Sequence, residues 1–247
     1  MLVGRSPEKT RALAQELDTP FHLADYTDLA QVRRLAAELD EAYPRIDVLA
    51  NNAGGIMGDR EVTTDGFEKT FQVNHLGGFL LTHLLMPKLT ASNATVIQTA
   101  SMAAKVFSRF DPDDLQNEAS YSPQSAYGNS KLANILFTRE LQRRFGDEGI
   151  SAVAFHPGVV ASNFASDTTH LMRLVYHTPV IKNLFTVSST KGASQLVWLA
   201  TSTPGSDWQP GEYYEKGKST RSNPKAHDDD LARRLWDASV EMLDVEI

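Results

Sequence analysis

Short apolar runs alternate along the chain with longer stretches in which apolar residues recur every three or four positions. The runs predict strands at Leu2–Gly4, Phe21–Ala24, Ile46–Ala50, Thr95–Thr99 and Ile150–Phe155, with a weaker one at Glu212–Tyr214. The periodic stretches predict helices over Pro7–Leu17, Leu29–Ala42, Asp65–Leu89, Gln124–Phe145, Thr190–Ala200 and Asp228–Leu243. Asp47-Val-Leu-Ala50 and Ala152-Val-Ala-Phe155 are almost wholly apolar, as strands are when helices cover both faces. Such alternation predicts an α/β fold, a doubly wound parallel sheet in three layers. No repeat, low-complexity tract or Pro/Gly/Ser linker interrupts residues 1–247, so a single domain is expected.

Composition narrows the function classes. The chain has 247 residues, ample for a real core. A net charge of -7 with no basic stripe argues against nucleic acid as a partner. The absence of cysteine excludes disulfides, thiolate metal sites and a cysteine nucleophile, and it fits a reducing cytoplasm. No apolar run approaches the roughly 18–20 residues of a membrane span, and no signal peptide opens the chain. The seven histidines show no ligand spacing, and Asp111-Pro-Asp-Asp114 lacks the glycines of a calcium loop. No metal site is expected.

In a doubly wound sheet the site lies at the carboxyl ends of the strands. Those ends read Gly4-Arg5-Ser6, Asp25-Tyr26, Asn51-Asn52-Ala53-Gly54, Ala100-Ser101 and His156-Pro157-Gly158. Strands must end in turns, but that alone does not select these residues. Tyr127-Gly-Asn-Ser-Lys131 opens a helical pattern and puts a phenol and an ammonium four residues apart on one face. A nearby ammonium favours phenolate, which suits proton transfer near neutrality. Alone, the pair is also an ordinary helix-surface contact.

Taken together, NNAG after one strand, a serine after the next, YxxxK opening the following helix and PG after the strand beyond it resemble the short-chain dehydrogenase/reductase family. The resemblance runs from Leu2 to about Leu243. Val73-Asn-His-Leu-Gly77, the long stretch between Ser101 and Tyr127, Gly211-Glu-Tyr-Tyr214 and Ala232-Arg-Arg-Leu-Trp236 look most like its retinol-dehydrogenase-like subgroup. The resemblance implies a Rossmann-like fold and a catalytic set of Ser101, Tyr127, Lys131 and Asn74. Tyr127 would exchange a proton with the carbonyl or alcohol oxygen. Lys131 would hold the tyrosine pKa down and bond the nicotinamide ribose. Ser101 would donate to the substrate oxygen, and Asn74 would hold a water of the proton relay.

On the cofactor side, the resemblance implies that Asn51, Ala53 and Gly54 line the adenosine. Asp25 would meet the adenine, with Tyr26 beside it. Pro157 and Gly158 would border the nicotinamide, and Ser162 stands where the family often has a threonine. Arg5 and Ser6 follow the family's second strand. A basic residue there accommodates a 2'-phosphate, so NADP is expected over NAD.

One departure is large. The family's TGxxxGxG loop, with its strand and first helix, has no counterpart in this sequence. Its loss would remove the backbone cradle for the pyrophosphate and leave two neighbouring strands with unpaired edges. A start set too late, a truncation and a genuine short chain all account for this. The first is favoured, the natural protein then being longer by about the thirty residues of a strand–loop–helix unit. A genuine short chain would bind cofactor poorly.

Between Asn163 and Phe185 an apolar stretch corresponds to the family's substrate lid and would suit a lipophilic carbonyl or alcohol. An amphipathic helix on the core is an equal reading. A homodimer could form through the helices at Asp65–Leu89 and Gln124–Phe145. The leading function is an NADP-dependent oxidoreductase acting on a small-molecule carbonyl or alcohol. A catalytically silent binding protein of the same fold, or a nucleotide-sugar epimerase or dehydratase sharing YxxxK, would be the alternatives.

Overall fold

The computed structural model describes residues 1–158 and 189–246. The chain begins with β1 (Leu2–Gly4), α1 (Pro7–Glu16), β2 (Phe21–Leu23) and α2 (Leu29–Ala42). Asp28 caps α2, its carboxylate accepting from Ala30 N at 3.0 Å. Leu29, Val32, Leu35, Ala36 and Leu39 form the buried stripe that the sequence spacing predicts.

A second group of strands carries the core. β3 (Val48–Asn51), β4 (Thr95–Thr99), β5 (Ser151–His156) and β6 (Tyr213–Glu215) run parallel in that order, and β7 (Lys218–Ser219) adds an antiparallel edge. The sequence reading missed β7. Lys216 and Gly217 both take positive φ (53° and 74°), the backbone of a tight two-residue hairpin.

β1 pairs only with β2, so the strands form a two-stranded and a five-stranded sheet. Among the described residues β1 and β3 each keep one edge without a ladder partner.

The strands sort their side chains onto two faces. Val96, Ala152 and Ala154 pack with α2, α4 (Gly77–Leu84), α7 (Pro123–Phe145) and α9 (Asp229–Leu243). Ile97, Val153 and Phe155 point the other way, against Leu199 of α8 (Ser189–Thr201), Trp208 and Tyr214. Helices thus flank the sheet in the expected three layers. β3 departs from the expectation of two buried faces: Leu49 is buried but Ala50 is exposed.

The single helix predicted over Asp65–Leu89 is broken. It runs as α3 (Lys69–Phe71), a π turn (Gln72–Leu76), α4 and α5 (Met86–Ser92). The start moves to Lys69 because the fully buried Glu68 carboxylate accepts from Thr70 N and Phe71 N at 2.6 and 2.8 Å. The break at Leu85 follows from Pro87, which lacks an N–H and seats only in a first turn. No helix among the described residues is long and apolar enough to cross a membrane.

Candidate active site

α7 starts at Ser122, whose hydroxyl accepts from Ser125 N at 3.2 Å, with Pro123 in the first turn. Its next turns carry Tyr127, Lys131 and Asn134, at i, i+4 and i+7, on one stripe. The Tyr127 ring is buried with Ile56 and Ala103. α6 (Ala103–Val106), which follows Ser101, seats directly on α7 at Gly128. A Cβ there would come within 2.8–2.9 Å of Ser108 N, Ala103 O and Phe107 C. That close approach brings the end of β4 to Tyr127. Ser101 Oγ accepts from Ala103 N at 3.2 Å, so the hydroxyl keeps its own hydrogen to donate elsewhere.

Lys131 is 2% exposed, and its Nζ lies 5.5 Å from the Tyr127 ring centroid and donates to Thr99 O at 3.0 Å. Burial lowers its pKa from 10.5 to about 7. The unfolded chain therefore binds this proton more tightly than the folded one. The penalty for burying the charge is complete below pH 7 and fades as pH rises towards 10.5. Lys131→Met is therefore expected to gain stability over the parent at pH 6 and to lose that advantage by pH 10. Urea unfolding at both pH values checks this, and an advantage independent of pH refutes it.

Asn74 sits in the π turn, a helix irregularity common at functional positions. Its carboxamide clamps the loop after β3: Oδ1 accepts from Gly55 N at 3.0 Å, and Nδ2 donates to Gly55 O and Thr70 O, both at 2.9 Å. Both N–H groups of the carboxamide are thus committed to backbone carbonyls. Gly54 is pinned beneath it at φ 152°. A Cβ there would lie 2.3 Å from Asn74 Oδ1 and 3.1 Å from Lys131 Nζ. Only glycine lets this loop lie against the pair.

The residues read as cofactor-binding lie at strand ends, in two groups. Arg5 is exposed at the end of β1, and Ser6 caps α1 by accepting from Lys9 N, which leaves the serine hydrogen free. Asp25 does not cap α2; one carboxylate oxygen accepts from Thr27 N and Oγ1 at 3.0 and 2.9 Å, fixing the turn. Tyr26 is packed against Gly77, where a Cβ would lie 2.5 Å from its ring, and burial pushes its pKa up to about 12. It stands beside Asp25 and is half-buried. Asn51 donates to Thr82 Oγ1 at 2.8 Å, while its buried Oδ1 has no hydrogen-bond partner. Such an orphaned acceptor fits a site that a polar ligand completes. Ala53 and Gly54 are exposed beside it. Pro157 and Gly158 follow β5, with Gly158 at φ 87°. Ser162 and the apolar stretch 163–185 lie outside the described residues.

Three participants were not singled out in the sequence. Asn134 shares the stripe of Tyr127 and Lys131, and its helical spacing could have revealed it. Gly128 hid inside the YxxxK motif. Asn52 accepts from Thr99 Oγ1 at 2.8 Å, tying the ends of β3 and β4 together; no spacing signal marks such a pair.

Residues 1–172 match the family model described as short chain dehydrogenase. A Streptomyces sp. (strain C5) protein named for daunorubicin C-13 ketoreduction is 42% identical over 247 residues, covering 97% of this chain and 82% of the relative. Human retinol dehydrogenase 14 is 38% identical over 226 residues, covering 89% of this chain and 65% of its own length. Among solved structures, an uncharacterised Mycobacterium paratuberculosis protein superposes with a TM-score of 0.75 at 31% identity, covering 99% of this chain and 84% of the other.

Proposed function

Since the chain belongs to the short-chain dehydrogenase family, in its retinol-dehydrogenase-like subgroup, we propose that it transfers hydride between NADP(H) and a lipophilic carbonyl or alcohol. The observation that carries this reading is the buried Lys131 ammonium against the Tyr127 ring at the end of β4, beside Ser101. The nicotinamide supplies the hydride. In the reducing direction Tyr127 gives its phenolic proton to the carbonyl oxygen as the carbon is reduced. Ser101 donates a hydrogen bond to the same oxygen, where negative charge builds. Lys131, with a pKa near neutrality, favours the phenolate that results and serves as a proton reserve for it.

Arg5 and Ser6 would hold the 2'-phosphate, Asp25 the adenine, and Asn51, Ala53 and Gly54 the adenosine side. Pro157, Gly158 and Ser162 would border the nicotinamide. Arg5→Ala is expected to weaken NADPH binding by about tenfold or more, the worth of a charge-assisted hydrogen bond, and to spare NADH. Titration of both nucleotides by fluorescence checks it; equal losses would remove the basis for preferring NADP.

The direct test is oxidation of NADPH in the presence of an aromatic ketone or retinal, with the alcohol identified by mass. A second reading is a catalytically silent binding protein of the same fold. Absence of both NADPH binding and turnover would select it. A homodimer would form away from α7, whose residues from Ala126 to Thr138 are buried within one chain.

A further inference from the structure

We propose that Asn134 is a positioning residue that sets Lys131, and that His75 holds Asn134 in the orientation this requires. The carboxamide of Asn134 is buried at the centre of the site. Its Nδ2 donates to Asn74 O at 3.0 Å and to Thr99 O at 3.2 Å. Thr99 O is also the acceptor of the Lys131 ammonium. Asn134 therefore shares one carbonyl with Lys131 and joins it to the π turn that carries Asn74. Two carbonyl acceptors fix which end of the carboxamide is the donor, so Oδ1 must accept.

Its partner is His75 Nδ1 at 3.3 Å, which must then carry the hydrogen. His75 is 1% exposed, enclosed by Phe71, Phe79 and Phe137, and burial lowers its pKa to about 4. It is therefore neutral with a bare Nε2, which faces Ser239 Oγ of α9 at 3.1 Å; the single hydrogen of that hydroxyl is shared between this nitrogen and Leu235 O at 2.7 Å. The chain of contacts runs from α9 through Ser239, His75 and Asn134 to the carbonyl under Lys131. The Lys131 ammonium, both ends of the Asn134 carboxamide and His75 Nδ1 each have a partner, and hydrogen bonds in a dry interior hold their geometry strongly. Among the described residues, the ionisable groups that interact with Lys131 are Tyr127 and the neutral His75. β4 and residues 51–58 contain no ionisable side chain.

The catalytic meaning of this network rests on the function proposed above; its effect on Lys131 does not. With Asn134 removed, Thr99 O loses its second donor and bonds the Lys131 ammonium more strongly, which favours the charged form. The test uses the intact chain labelled with 13C at lysine Cε, the Lys131 signal being the one lost in Lys131→Met. In Asn134→Leu the titration midpoint of Lys131 is expected to rise by about one pH unit, a tenfold change in proton affinity. His75→Phe keeps the aromatic packing but removes the donor, and should shift the midpoint in the same direction. His75→Asn can replace the Nδ1 donor and should restore the parent value. An unmoved midpoint in either Asn134→Leu or His75→Phe overturns the proposal, as does failure of His75→Asn to differ from His75→Phe. The midpoint is read without substrate or nucleotide. A shifted midpoint in a chain that turns nothing over would uphold the positioning network and sink the proposed activity. Turnover with an unmoved midpoint would do the reverse.

Discussion

Tyr127→Phe is expected to lower turnover of a carbonyl substrate by about 10²–10⁴-fold, the usual worth of a positioned general acid. The substitution removes one hydroxyl and leaves the ring that packs with Ile56 and Ala103. The fold and the thermal midpoint should hardly change. Nucleotide affinity should also hold, because the phenol acts on the substrate oxygen. The loss should therefore fall on kcat, with KM nearly constant. Steady-state kinetics beside a nucleotide titration separates the cases. A variant that keeps a tenth or more of the parent kcat would remove Tyr127 from the chemistry and leave a binding protein as the better description.

Trp236→Ala is expected to cost about 3–5 kcal/mol of stability, near the top of the range for a single core truncation. Trp236 is 2% exposed and lies where α9 meets α7 and α4. Its ring meets Phe79 edge-on at 5.0 Å, with Phe137 and Phe145 at 5.7 and 6.0 Å, and the Arg144 guanidinium stands 4.8 Å over it. Truncation would empty a space shared by three helices that are already fixed to the sheet, so little collapse could fill it. The indole Nε1 has no hydrogen-bond partner, so Trp236→Phe should recover most of the loss. The midpoint of urea unfolding, at unchanged slope, reads the difference. A shift worth less than about 1 kcal/mol would mean that α9 contributes little to the core.

The strand positions were legible because buried parallel strands write themselves as apolar runs. Thr95–Thr99, buried throughout, lies where the pattern puts it; Leu2–Gly4 does so as well, although Val3 is exposed. α2 was equally clear, since its apolar stripe is regular, although its cap, Asp28, was not singled out. The break in 65–89 was harder. Glu68 becomes a cap only when the fold buries it, and hydrophobic periodicity continues across the π turn and across Pro87. The Tyr127–Lys131 spacing was legible because it is local to one helix. Its supporting cast was not, because Thr99 and His75 reach Asn134 across 35 and 59 residues of sequence. Only tertiary packing makes such contacts. Tyr26 shows the opposite case: it stands at a strand end, as a ligand residue would, but it fills the space over Gly77.

The divided sheet bears on how the molecule opens. A ladder of two strands, three residues each, with one helix on it is not stable alone. Its ties to the remainder run through the segment after it. Gln72 Nε2 donates to Tyr26 O at 3.0 Å, Leu29 N donates to Asp65 Oδ2 at 3.0 Å, and the Arg33 guanidinium reaches Leu243 O at 2.6 Å. Residues 1–23 thus form a separate unit of opening, which should release its amide hydrogens to solvent far sooner than Val96 or Ile97. The residue proposed to choose between the two nucleotides, Arg5, rides on that early-opening piece, whereas Tyr127 and Lys131 belong to the last part to let go. A bound dinucleotide touching both would join the two units, and slower amide exchange at β1 would report its arrival.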